Sequence, residues 1–107
     1  MKTEFGPAEI HRIKGIAARL EQIPDEKWCI NTLENEIGQR CVLGHINKMF
    51  GGEANSWPIE TNRFLVFLSP IGNSAVINNT WEVKGYKSPK DAILKSIEKR
   101  LGMLENS

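Results

Sequence analysis

Cys41 and His45 are the residues whose types and spacing point most directly to chemistry. They stand four positions apart in Arg40-Cys41-Val42-Leu43-Gly44-His45, so a helix would carry both on one face. A cysteine in the first turn of a helix meets the positive end of the backbone dipole, and Arg40 adds a cation; both favour the thiolate. His45, one turn on, would serve as its base, with Asn31, Asn78 or Asn79 as the orienting partner of a Cys–His–Asn arrangement. The competing reading is structural. Cysteine is among the most buried residue types, and Cys41 runs directly into Val42 and Leu43. The structural role is favoured, and a cysteine-nucleophile enzyme is kept as an alternative.

The same side chains define what a metal could use. Structural zinc takes four Cys or His ligands, and Cys29, Cys41, His11 and His45 are the whole supply. No CxxC or HxxxH spacing assembles half a site, so neither a metal nor a cofactor is expected. His11 stands beside the apolar stripe of its segment, next to Arg12, as a solvated residue. A Cys29–Cys41 disulfide is sterically open but disfavoured in a reducing compartment.

Two further groups could bind rather than react. Trp28, Trp57 and Trp81 each offer a large apolar surface with one polar handle; Trp57 and Trp81 lie in polar, loop-like contexts, and with Tyr86, Asn78 and Asn79 they form the expected contact surface. Lys84 to Arg100 holds Lys84, Lys87, Lys90, Lys95, Lys99 and Arg100 against Asp91 and Glu98. With Trp81 and Tyr86 as stacking groups this is the case for nucleic acid, and Lys95, Lys99 and Arg100 would carry it. Lysines on a terminal helix more commonly form a solvated face, so this reading is second to a protein partner. Walker, dinucleotide and Gly-x-Ser-x-Gly motifs are absent. Asn78-Asn79-Thr80 matches a glycosylation acceptor and is read as a chance match.

These residues need elements to position them. Pro7 begins a helix whose Ile10, Ile13, Ile16, Ala17, Leu20 and Ile23 form one stripe, ended by Pro24. Lys27 to Gln39 reads as a short extended piece, open to being a strand of a few residues, entering a turn. A second helix is expected from about Arg40 to Phe50, closed by Gly51-Gly52. Phe64 to Leu68 is ambiguous between helix and strand by periodicity, and a short helix from Pro58 is preferred. Ala75-Val76-Ile77 and Trp81-Glu82-Val83 read as a tight hairpin or an irregular loop around a buried strand. The last helix is marked by Ser88 as N-cap, Pro89 at the first position and Asp91, with Ile93, Leu94, Ile97, Leu101 and Leu104 as its stripe.

At 107 residues, with 40% hydrophobic and 25% charged residues and a net charge of +1, the chain is read as a single globular domain spanning residues 1–107. So small a net charge gives no general attraction to phosphate backbones or anionic lipid. No apolar run approaches the roughly 20 residues of a membrane helix, and no secretion signal is read, so no membrane partner and a cytoplasmic location are expected.

Trp28-Cys29, Gly38 to Ile46, Val76-Ile77-Asn78-Asn79 and the helix from Ser88 to Leu101 together resemble a small uncharacterised domain family of bacteria and their phages. Its members show a Trp, a Gly-x-x-Cys-x-Leu-Gly helix start, an Asn-Asp-type segment and a closing amphipathic helix. The resemblance spans Ile10 to Leu101 and implies the fold, not an activity. The chain has Asn78-Asn79 where the family has an Asn-Asp pair, and His45 where small residues are common; both departures weigh against shared Cys41 chemistry.

The expectation is a mainly α (small α+β) domain: three to four helices around Ile13, Leu20, Leu43, Ile46, Phe64, Leu68, Ile93, Ile97 and Leu101, with a minor hairpin or extended segment. Gly44 would let the second helix approach a neighbour closely. The expected function is a non-catalytic, protein-binding module, accessory or phage-encoded.

Overall fold

A computed structural model describes residues 6–53 and 56–105. The fold is mainly α. Its described elements are α1 (Pro7–Gln22), a 3₁₀ turn (Asp25–Lys27), α2 (Val42–Met49), α3 (Ile59–Leu68), α4 (Ser74–Asn79) and α5 (Pro89–Glu105). All nine residues of the expected core lie in or against one apolar cluster, with Leu101 at its partly exposed margin; Ile16, Trp28, Cys41, Val42 and Phe67 complete its centre.

α2 is the element around which the others are laid. Every residue from Cys41 to Asn47 is buried, so this eight-residue helix has no solvated side over its first two turns. Too short to be stable alone, it is held by α3 and α4, and more lightly by α1 and α5. α5 closes the fold, packing chiefly on α4 and α1. No described helix is long and apolar enough to cross a membrane.

The ends of these helices follow local chemistry. In α5 the Ser88 Oγ accepts from the Asp91 amide at 3.0 Å, and the Asp91 carboxylate accepts from the Lys87 amide at 3.0 Å, a capping-box exchange displaced by one residue. Lys90, in the first turn of α5, donates to the carbonyls of Glu21 (3.2 Å) and Ile23 (2.9 Å). It thereby covers acceptors at the end of α1, where a cation also suits the helix dipole. Pro58 proves to be the N-cap of α3 and not its first residue.

Two expectations are corrected. The segment from 75 to 83 is not a hairpin: Asn73 caps α4, its Oδ1 accepting from the amides of Ala75 (2.9 Å) and Val76 (3.3 Å), and Trp81 follows in a run of turns. One short cap outweighs β-tolerant composition because its side chain satisfies amides that a strand edge would leave open. The Lys27–Gln39 piece also forms no strand; it pairs only through isolated bridges of Arg40 with Trp28 and with Glu34. Its shape comes instead from Asn35, whose Oδ1 accepts from Ile37 (3.1 Å) and Gln39 (3.0 Å), and from Gly38 at φ +84°.

Gly44 does permit a close approach, though to a loop and not to another helix. A Cβ there would run into the Leu33 carbonyl oxygen and lie 3.1 Å from the Arg40 Cβ. Alanine in a helix is normally better than glycine by about 1 kcal/mol; here overpacking, which costs about 1–3 kcal/mol, reverses the sign. Gly44→Ala should lower the urea midpoint. Gly15→Ala should raise it, since Gly15 in α1 has nothing within 4 Å of an added Cβ.

Candidate functional site

The structure places Cys41 and His45 inside the protein. Cys41 is the N-cap of α2 in extended conformation (φ −78°, ψ 177°) and makes no side-chain cap hydrogen bond; the expected first-turn position is off by one residue. Its side chain is 5% exposed and belongs to the core cluster. His45 is 4% exposed, with its ring centroid 4.7 Å from that of Trp28. His45 Nε2 has no hydrogen-bond partner, so it does not engage the Cys41 thiol. Burial lowers the His45 pKa to about 4, and the nearby Arg40 charge adds to this, while backbone hydrogen bonding at Lys27 and Arg40 opposes it. The ring is neutral at pH 7.

The third member of the imagined triad has other work. Asn78 is fully buried, so it does not belong to the contact surface expected for it. Its Oδ1 accepts from the Val42 amide at 3.1 Å, the first residue of α2, and its Nδ2 donates to the Cys29 carbonyl at 2.9 Å and to Asn79 Oδ1 at 3.1 Å. Asn79 Oδ1 also accepts from the Asn31 amide at 2.8 Å, at the one described non-glycine residue with positive φ (+67°). The Asn pair thus caps α2 from α4 and fixes the 29–31 loop. Burial also closes Asn78 to a glycosylating enzyme in the folded chain.

Cys29 and Cys41 are both free thiols. Burial raises the pKa of Cys29, and Cys41 and Glu34 add to the rise. No group of three or more His, Cys, Asp or Glu among the described residues could hold a metal ion.

The basic segment is dispersed. Arg100 is buried, donating from Nε to the Phe67 carbonyl at 2.7 Å with its guanidinium 5.7 Å from the Phe67 ring centroid. Lys90 is engaged with the end of α1, and Lys95 lies 3.6 Å from Asp91. Lys84, Lys87 and Lys99 are exposed. Trp28 is core; Trp57 packs against the core from the entrance of α3; Trp81 and Tyr86 are half-buried and joined by a backbone hydrogen bond of 2.9 Å.

Two surface hollows went unmarked in the sequence reading. One, of about 450 Å³, lies between α1 and the Phe50–Glu60 region and is lined by Arg12, Gly15, Ile16, Arg19, Phe50 and Glu60. It continues into a small hollow that adds Ile59, Glu9 and Arg63, where Arg63 pairs with Glu9 at 2.7 Å. The other, about 320 Å³, is lined by Ile23, Lys27, Gly38, Arg40, His45, Lys48 and Met49. For the second no local signal existed: Lys27, Arg40 and Lys48 are brought around His45 only by the loop folding against α2.

Comparison with family models, curated proteins and solved structures finds no match. The class the fold defines is a small, mainly α domain.

Two outcomes follow. Because His45 has a folded pKa below its unfolded value of about 6.5, its contribution to stability is present above pH 6.5 and lost as pH falls toward 4. Equilibrium denaturation should show a loss of about 3 kcal/mol over that window, missing in His45→Leu. In native protein at pH 7, a thiol reagent should modify Cys29 slowly and Cys41 only after unfolding; fast labelling of Cys41 would restore the nucleophile reading.

Proposed function

We propose that this chain is a non-catalytic protein-binding module whose contact surface is the hollow beside α1, and that its partner presents an acidic, amphipathic segment. The observation that carries the reading is the composition of that hollow. Its floor is apolar, from Ile16 and Phe50, and its rim carries Arg12 and Arg19 against the single carboxylate of Glu60. Ile59, 60% exposed, extends the apolar strip at one end. Arg19 lies over Phe50, 5.9 Å from the ring centroid, so a partner side chain entering there meets an aromatic face and a cation together. Gly15 leaves the α1 wall without a side chain where a helix or extended peptide would pass.

An apolar strip bordered by cations suits a segment with apolar residues on one face and Asp or Glu beside them. Trp57, Trp81 and Tyr86 remain candidate contacts at other parts of the surface. The burial of Cys41 and the neutral His45, whose Nε2 has no partner, support a module without catalysis over the cysteine enzyme. The internal use of Arg100 and Lys90 supports a protein partner over nucleic acid.

The test is selection from a random 16-residue peptide display library against the folded protein. Enrichment of acidic amphipathic peptides, with affinity falling about tenfold or more in Arg12→Glu/Arg19→Glu and in Gly15→Trp, is the expected result. Peptides without acidic residues, or binding indifferent to both variants, would overturn the assignment.

A further inference from the structure

The groove over His45 carries charge of one sign in its lining, although Arg40 and Lys48 also border another hollow that holds Glu34 and Glu53. Three cations, Lys27, Arg40 and Lys48, line it with no carboxylate among the lining residues. They come from different parts of the chain: Lys27 from the 3₁₀ turn, Arg40 from the residue before the α2 N-cap, and Lys48 from the last turn of α2. Arg40 Nε lies 3.4 Å from Glu34, outside the lining, which draws off part of one charge. Lys27 and Lys48 are exposed and have no carboxylate within ion-pair distance among the described residues. Like charges gathered around one hollow repel each other, and an anion placed among them removes that repulsion.

The second observation is His45 itself. His45 is one of the groove's lining residues, it is more than nine-tenths buried, and its Nε2 has no hydrogen-bond partner. A buried polar atom without a hydrogen bond costs about 1–3 kcal/mol, so a group that supplies one is favoured there. A phosphate oxygen over the ring accepts from Nε2 in the tautomer that carries the proton there. Ile23 and Met49 supply an apolar wall beside the cations, suited to the carbon body of an organic phosphate. The volume is at the lower end of ordinary small-molecule sites.

We infer that this groove is a binding site for a small phosphate monoester, its phosphate held among Lys27, Arg40 and Lys48 above the His45 ring and its organic part against Ile23 and Met49. No bond is made or broken; the site recognises. It lies apart from the α1 hollow, sharing no lining residue with it, so the two can be tested separately.

The experiment is an amide and imidazole chemical-shift titration of the intact chain with phenyl phosphate, inorganic phosphate and benzoate. Phenyl phosphate should give saturable shifts confined to the amides lining the groove and to the His45 ring, binding more tightly than inorganic phosphate and than benzoate. Lys27→Ala/Lys48→Ala should weaken binding about tenfold or more, and Lys48→Met alone by a smaller factor. Lys84→Ala/Lys87→Ala, two exposed lysines elsewhere, should leave it unchanged. Retained one-dimensional dispersion in each variant shows that the fold persists. Absence of saturable groove shifts, equal affinity for benzoate, or equal weakening by the two lysine pairs would overturn the assignment.

Discussion

The side chain of Asn78 joins three parts of the chain that are otherwise remote in sequence. With one amide it meets the first N–H of α2, the carbonyl of Cys29 and the neighbouring Asn79. The need for it follows from the burial of α2. A helix start leaves amides with no internal partner, and here water cannot serve the Val42 amide, nor does the Cys41 thiol at the N-cap position. The acceptor must therefore come from another element, and α4 delivers it. That requirement accounts for a six-residue helix that could not persist alone, and for Asn79, whose neighbouring contact holds Asn31 in a positive-φ conformation.

Burial on all sides also decides what the polar residues of α2 can be. Asn47 accepts a 2.6 Å hydrogen bond from Thr61 of α3, both residues being buried, so a pair of polar groups is matched across the helix interface. His45 is the exception, with one nitrogen unmatched and its charge suppressed. A ring with its pKa lowered to about 4 is a weak base, and the Cys41 thiol is buried. It is, however, well placed as the floor of a basic groove, because a neutral ring adds no further repulsion to three neighbouring cations.

The surface hollows arise where helices fail to meet. α1 packs on α5 and α2 and makes little contact with α3, so the space beside Ile16 and Phe50 stays open. The Glu9–Arg63 pair bridges one end of it. Around His45 the opening is bordered by the loop that carries Lys27 and Gly38, which comes close to α2 where Gly44 lets the Leu33 carbonyl descend. Missing side chains at Gly44 and Gly15 thus shape the molecule in opposite ways: one admits a neighbour, the other leaves a wall bare.

The sequence by itself determined the helices with long stripes or strong caps, namely α1 and α5, and nearly all of the core, because period and capping act within a few residues of the chain. It also indicated α2 and α3, each with its start misplaced by a residue or two, since the N-cap is set by backbone geometry and not by composition. Only the tertiary structure decided α4, the irregular path from Cys29 to Arg40 and the roles of the residues that looked chemical. Asn78, Arg100 and Lys90 are polar in sequence and structural in space, because each satisfies backbone groups of an element more than 30 positions away. Cys41 caps the helix that carries His45, one residue short of the first-turn position its spacing suggested. Whether that helix faced solvent or core depended on α3, α4 and α5 packing over it, which no local pattern records.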